Sequence, residues 1–301
     1  MERLFIVGAG DIARRALPAL LARYATTALV RGSHALLADR GVRVVAGDLD
    51  RPESLEPLTP AADVLLHAAP PNESGVRDER TRNLVAVLSG ARMLPRRVVY
   101  LSTSGVYGDC GGAWVDESRP VHPETDRARR RVDAEQVLIE WGESRGVAIV
   151  ILRVPGIYAA ERLPLERLKS GTPVLRAEDD VYTNHIHADD LAAICARALE
   201  RDAPAGLYNA ADDTELKMGD YFDLVADRFG LARPRRVSRA EGEQTIPPTP
   251  LSFTRESRRL VNLRLKEALG ARLKYPTVFE GVPIRVARSA QRSPLPLGER
   301  G

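Results

Sequence analysis

Arg3-Leu4-Phe5-Ile6-Val7-Gly8-Ala9-Gly10-Asp11-Ile12-Ala13-Arg14-Arg15 opens the chain and decides its fold. Residues 4–7 form an uninterrupted apolar run, which suits a strand buried on both faces of a parallel sheet. The run leads into Gly8-x-Gly10-x-x-Ala13 and then into Ala16, Leu17, Leu20 and Leu21 at helical spacing. Strand, glycine turn and helix in that order are the context of a dinucleotide fingerprint; the glycines alone would describe only a tight turn in some other α/β protein. Gly8 permits the turn, Gly10 lets a pyrophosphate approach the backbone, and Ala13 lets the helix pack close to the strand. The helix start at Asp11, Ile12 and Ala13 offers free N–H groups and a positive dipole end.

The same alternation continues outward from this turn. Strand-like runs fall at 26–30, 42–46, 63–69, 97–101 and 147–152, with helical patterns at 76–88 and 124–143. Such βα alternation predicts an α/β fold of Rossmann type, a doubly wound parallel sheet with right-handed crossovers and a ligand at the carboxyl ends of its strands. Past Arg153 the rhythm changes to prolines and loops, with one more apolar strand at 206–210 and helices near 189–199, 219–229 and 256–269. The expected organisation is a dinucleotide-binding domain of residues 1–156 with 176–212, and a smaller, discontinuous C-terminal substrate lobe of 157–175 with 213–288. Residues 289–301, rich in Ser, Pro, Gly and Arg without periodicity, read as a disordered tail.

Composition narrows the function classes. With 44% hydrophobic and 28% charged residues the chain is an ordinary globular protein, and a net charge of +3 is too small to argue for nucleic acid. Lysine occurs only at 169, 217, 266 and 274, so 40 of the 44 basic residues are arginine. Cys110 and Cys195 lack metal-ligand or CxxC spacing, which points to free thiols in a reducing compartment. No apolar run approaches a membrane span, and the acidic, glycine-rich opening is unlike a signal peptide. The expectation is a cytoplasmic protein without membrane or nucleic-acid partners.

The residue ending the second strand distinguishes the dinucleotides, because an acid there meets the ribose hydroxyl of NAD and an arginine accommodates the 2′-phosphate of NADP. Here it is Arg31, and the next acid, Asp39, comes too late. This favours NADP(H) over NAD(H), although arginine is abundant throughout. Arg14 and Arg15 add charge where a phosphate could be forked. Asp48, after the third strand, is placed to meet the adenine edge.

Four further segments carry a family likeness: GDLD at 47–50, STSGVYG at 102–108, RVPGIY at 153–158 and NHIHADDLA at 184–192. Together with the glycine turn they make the chain, over about residues 3–288, resemble the extended short-chain dehydrogenase/reductases, the NAD(P)-dependent epimerase/dehydratase family. The glycine spacing, and the later YNAADD and LKYPTVFEG segments, look like an atypical subgroup. The resemblance implies that Leu49, Ala68, Ala69 and Pro155 line the cofactor, and that Thr103, with Ser104 beside it, hydrogen-bonds the reacting oxygen. It also implies a YxxxK motif in which Tyr is the acid/base and Lys holds the nicotinamide ribose. Fitting the helix by Glu135 puts the Tyr slot on Arg127 and the Lys slot on Arg131, so both family residues are missing. No lysine precedes Lys169, and the nearest substitute pattern is Tyr158 with Arg162.

Arg127, Arg131, Ala134, Leu138 and Trp141 follow four-three-four-three spacing, which predicts that both guanidiniums share the buried face of one helix. Arg131 could still donate to ribose hydroxyls. Arg127 cannot exchange a proton near neutrality, since its pKa stays above about 12; general acid–base help is worth roughly 10²–10⁴-fold. Alternatively, the arginines pair with Asp133, Glu135 or Glu124. Substitute proton donors are Tyr107, which in the family packs the loop, and His67, which could equally be a satisfied strand histidine. His185 and His187 with Asp189 and Asp190 could hold a metal, but more readily match the family's helix start, capped by an Asp.

Two functions remain open at this level. One is an NADP(H)-dependent oxidoreductase or epimerase with non-standard proton delivery, acting on a small-molecule substrate such as a sugar nucleotide or a small anionic carbonyl compound clamped by Arg127. The other is a catalytically inactive NAD(P)(H)-binding sensor or scaffold. Pairing through residues 76–88 and 124–143, the family's habit, would give a homodimer.

Overall fold

A computed structural model describes residues 1–32, 35–55 and 62–285. The proposed tail at 289–301 therefore lies outside the described residues. The first half runs β1 (Glu2–Val7), α1 (Asp11–Leu21), β2 (Tyr24–Val30), α2 (Ala35–Ala38), β3 (Arg43–Ala46), β4 (Val64–His67), α3 (Glu79–Ser89), β5 (Arg97–Thr103), β6 (Trp114–Val115), α4 (Asp126–Arg145) and β7 (Ala148–Val154). Next come β8 (Gly156–Tyr158), α5 (Leu165–Lys169), β9 (Val174–Leu175), β10 (Tyr182–Thr183), β11 (His185–His187), α6 (Ala188–Ala198) and β12 (Gly206–Asn209). The chain closes with β13 (Leu216–Lys217), α7 (Met218–Phe229), β14 (Arg236–Val237), α8 (Arg239–Thr245), α9 (Pro248–Ser252), β15 (Arg259–Leu260), α10 (Leu263–Glu267) and α11 (Val278–Gly281).

Seven of these strands form one parallel sheet in the order β12-β7-β5-β4-β1-β2-β3. This is the doubly wound Rossmann arrangement read from the sequence, with the strand order reversing between β1 and β4. Alternate residues of the central strand feed two different cores. Leu4 and Ile6 pack with α1 and α6, whereas Phe5 and Val7 pack with α3 and α4. Both faces are covered, so the strands can be apolar throughout.

The second half departs from simple alternation. Two-stranded pairs β8–β11, β9–β14, β10–β13 and β6–β15 carry the chain between the sheet and a smaller core around Tyr158, Leu168, Phe222 and Val225. The helix expected at 256–269 is not continuous. Arg259 and Leu260 pair with Trp114 and Val115, the Asn262 amide donates to Ala211 O and to Asp213 Oδ1, and only Leu263–Glu267 is helical. Tertiary pairing overrides the helical pattern there. The helix read at 76–88 starts later, capped by Asp78, and that read at 124–143 starts after Thr125.

Candidate functional site

The glycine turn has the local chemistry its sequence implied. Gly8 adopts φ +94°, and a Cβ there would lie 2.3 Å from Ala69 N, so no other residue fits. A Cβ on Gly10 would meet nothing within 4 Å, which leaves the backbone open. Gly10 is also the cap of α1 and supplies no side-chain cap, so the first N–H groups of the helix are unclaimed. Ile12 and Ala13 turn their side chains into the core, and only their backbone can face a ligand. A groove of about 250 Å³ runs from Gly8–Gly10 past Asp48, Leu49, Ala69 and Arg80 to an exposed Arg31. Ala68 lies behind its edge, its N–H donating to Val7 O at 2.8 Å. These open amides and this cradle fit a dinucleotide pyrophosphate.

Arg15 does not serve as a phosphate fork. Its guanidinium is engaged by Asp11 (3.1 Å), Asp189 (2.6 Å) and Glu161, while Arg162 reaches the same Asp11 at 3.2 Å. The group is a clasp between the turn and the segment after β8.

A second, larger cleft of about 880 Å³ opens at the carboxyl ends of β5 and β7. Thr103, Ser104, Thr125, Arg127, Arg130, Arg131 and Pro155 line it from the sheet side; Tyr158, Arg167, His185, Tyr221, Phe253 and Arg258 line it from the other. Thr103 Oγ1 accepts from Gly105 N at 3.2 Å and thereby shapes the turn after β5.

The α4 arginines differ from the sequence expectation in one respect. Arg131 is half-buried and folded against β5, its Nη1 donating to Tyr100 OH (2.9 Å) and Leu101 O (2.8 Å). Arg127 is not on a buried face; it is exposed at the cleft wall with its guanidinium 5.1 Å from the Phe253 ring centre. The buried member is Arg130, which the sequence reading passed over. Asp133 pairs with Arg82 and Glu135 with Arg153, so neither acid neutralises Arg127 or Arg131.

Tyr107 is withdrawn from the candidate acids. It is 1% exposed, lies outside the residues lining the cleft, and donates its hydroxyl to Asn209 Oδ1 at 2.8 Å. Burial raises its pKa, and the Arg153 guanidinium covers its ring. It belongs to a buried network in which Arg153 Nη2 meets Glu135 at 2.7 Å and Ser102 donates to the same carboxylate. His67 is likewise structural. Its Nε2 lies 2.9 Å from Thr81 Oγ1, whose proton goes to Asp78, and burial pushes the imidazole down to about 3.

The start of α6 is not capped by an Asp. His187 caps α6, its Nδ1 accepting from Asp189 N at 3.2 Å, while Asp190 accepts from Lys274 N and Tyr275 N. Among the described residues no group of three or more His, Cys, Asp or Glu is arranged to hold a metal ion. His185 reaches the cleft instead. Its ring lies 4.2 Å from that of Tyr221, its Nε2 has no partner, and burial pushes it down to about 3. Tyr158 donates to Thr277 O at 3.2 Å, and burial lifts its pKa, as it does that of Tyr221. The cleft thus holds more cations than carboxylates, Glu73 and Glu256 being the acids that line it, and its histidine and buried phenols are shifted away from neutrality. Folding the C-terminal half over the sheet brings His185, Arg167, Phe253 and Arg258 together, and only His185 had been singled out from sequence.

Comparisons agree with this architecture. Residues 8–202 match a family model described as NAD(P)H-binding. The chain is 26% identical to GDP-6-deoxy-D-mannose reductase of Pseudomonas aeruginosa, over 80% of this chain and 86% of that one. A functionally unknown conserved protein from Silicibacter pomeroyi superposes with a TM-score of 0.73 at 28% identity, covering 93% of this chain and 96% of the other. UDP-glucose 4-epimerase of Thermus thermophilus, solved with NAD, shares the fold with a TM-score of 0.72 at 23% identity, covering 94% and 97%.

Proposed function

The chain belongs to the NAD(P)H-binding family, and from that premise we propose that it is an NADP(H)-dependent oxidoreductase or epimerase of the extended short-chain dehydrogenase type, acting on an anionic carbonyl or hydroxyl compound. The observation that carries the reading is a cleft lined by Thr103, Ser104, Arg127 and Arg131 at the end of the sheet where the dinucleotide groove also opens.

The bound dinucleotide would supply or accept a hydride. The open amides at Gly10–Ala13 would hold its pyrophosphate, with Asp11 drawn aside by Arg15 and Arg162. Arg31 would meet the 2′-phosphate, Asp48 and Leu49 the adenine side, and Ala69, Pro155 and Arg131 the nicotinamide end. Thr103 donates to the reacting oxygen. Arg127, a permanent cation, stabilises negative charge developing there without moving a proton. The proton then comes from water, which the open cleft admits.

A second reading, a non-catalytic NAD(P)H sensor, is favoured by one observation: Tyr107, the phenol offered as a substitute proton donor, is committed to Asn209. Titration with NADPH and NADH, followed by a search for cofactor oxidation with sugar nucleotides and small keto acids, separates the two. Tight NADPH binding with substrate-dependent oxidation supports the enzyme. Tight binding with no turnover on any compound, and none gained by Arg127→Tyr with Arg131→Lys, supports the sensor.

A further inference from the structure

The first turn of α4 points its N-terminus at the cleft, and Thr125, Arg127, Arg130 and Arg131 all line it there. Residues three and four apart on a helix are neighbours, so Arg127 has Arg130 and Arg131 beside it on one side of α4. Thr125 caps the helix by accepting from Ala128 N. The first-turn acid, Asp126, is turned aside to Arg129 at 2.7 Å.

Many cations in this arginine-rich molecule have carboxylate partners, but these do not. Of the six arginines lining the cleft, Arg162 pairs with Asp11 and Arg258 with Glu256; Arg127, Arg130, Arg131 and Arg167 form no ion pair among the described residues. Arg130 is only 7% exposed, donates Nη1 to Gly75 O, and leaves Nε buried without any partner. A largely buried guanidinium with no carboxylate paired to it is costly unless an anion arrives to balance its charge. The carboxylates that line the cleft are Glu256, already taken by Arg258, and Glu73, exposed and two residues before the Gly75 whose carbonyl Arg130 holds.

Resting on the oxidoreductase reading above, we propose that the N-terminal turn of α4, with Arg127 and Arg130, is a subsite for a compact oxyanion, a carboxylate or a phosphate ester, that the substrate carries within a bond or two of the carbon reacting beside Thr103. The helix dipole and two guanidiniums act on the same small group, which a planar fork grips bidentately. The substrate is then a small acidic carbonyl compound rather than one whose only charge is a distant pyrophosphate. Where the family places a group that shuttles protons, this chain holds one that binds charge.

Calorimetric titration of the NADPH-saturated protein with malonate, with inorganic phosphate and with UDP tests this. Malonate or phosphate should bind, the tighter of the two identifying the source of the oxyanion. Arg127→Met and Arg130→Met should each weaken that binding by about tenfold or more, while Arg145→Gln, exposed at the far end of the same helix, leaves it unchanged. Arg127 is exposed, so its variant reports even if the buried Arg130 variant fails to fold. The proposal is overturned if neither malonate nor phosphate binds, if UDP alone binds, or if both probes bind the Arg127 variant as tightly as the parent. Failure of NADPH to bind would sink the cofactor reading instead; the same titrations on the cofactor-free protein would still decide the subsite.

Discussion

Arg31 stands exposed at the end of β2 on the rim of the groove that begins at Gly8. A charge-assisted hydrogen bond to a phosphate is worth roughly 1.5–3 kcal/mol. Arg31→Ala should therefore weaken NADPH binding about 10- to 100-fold and leave NADH binding within a factor of two or so, by titration of cofactor fluorescence. Equal losses for both cofactors would remove the 2′-phosphate assignment. Asp212 makes a different residue-level prediction. It is 4% exposed, its Oδ2 has no partner, and burial, with Asp213 and Asp190 nearby, raises its carboxyl to about 7 against the backbone bond from Thr214. The native state keeps this proton over a range in which the unfolded chain, with a carboxyl near 3.8, has lost it. The group's contribution is thus fully present at acid pH and is lost as pH rises through about 4 to 7. Asp212→Asn should gain stability relative to the parent across that window, by on the order of a few kcal/mol at pH 8, read from urea midpoints at a series of pH values. A pH-independent difference would show that folding leaves the carboxyl's pKa unshifted.

At the scale of elements, α4 ties two strand ends together. Glu135 and Arg153, both almost fully buried, join the helix to β7, and Ser102 of β5 donates to the same carboxylate. Removing one partner of a buried pair leaves the other charge uncompensated, so Glu135→Ala should cost about 3–5 kcal/mol in urea unfolding. Tyr107→Phe deletes the bond to Asn209 and the hydroxyl's contact with Arg153, so a loss of about 1–3 kcal/mol with unchanged NADPH binding is expected. A large fall in turnover at unchanged stability would return the phenol to the chemistry. These elements also show what a sequence can and cannot disclose. Strand, turn and helix start at residues 3–15 are local, and their apolar run and glycines state the backbone geometry directly. The spacing of Arg127 and Arg131 on one helix was equally readable. Which of the neighbouring arginines is buried was not, because Arg130 is enclosed by the Gly75 loop rather than by its own helix. Tyr107 has its partner 102 residues away, and no local pattern announces that. The helical periodicity at 256–269 was overruled by a short strand pairing with β6 and by the Asn262 amide reaching Ala211.

For the whole molecule, the question is whether the C-terminal half melts as a lobe of its own. Its own core, around Tyr158, Phe222 and Val225, is separate. Yet Leu265, Leu269 and Ala271 pack into the same cluster as Leu4, Ile6 and the α1 residues, and α6 lies across α1 in that cluster. The Arg15 and Arg162 clasp joins the segment after β8 to the glycine turn as well. A substitution remote from the groove should therefore be felt there. Leu265 is fully buried, and Leu265→Ala should cost about 2–5 kcal/mol. Far-UV circular dichroism, the emission of Trp141 on the opposite face of the sheet, and the ability to bind NADPH should all be lost at one shifted midpoint. If the C-terminal segments instead unfold first while the groove still binds NADPH, the shared core does not couple the halves. The cofactor would then grip a sheet that stands without them, and the cleft would have to be assembled by substrate rather than presented ready-made.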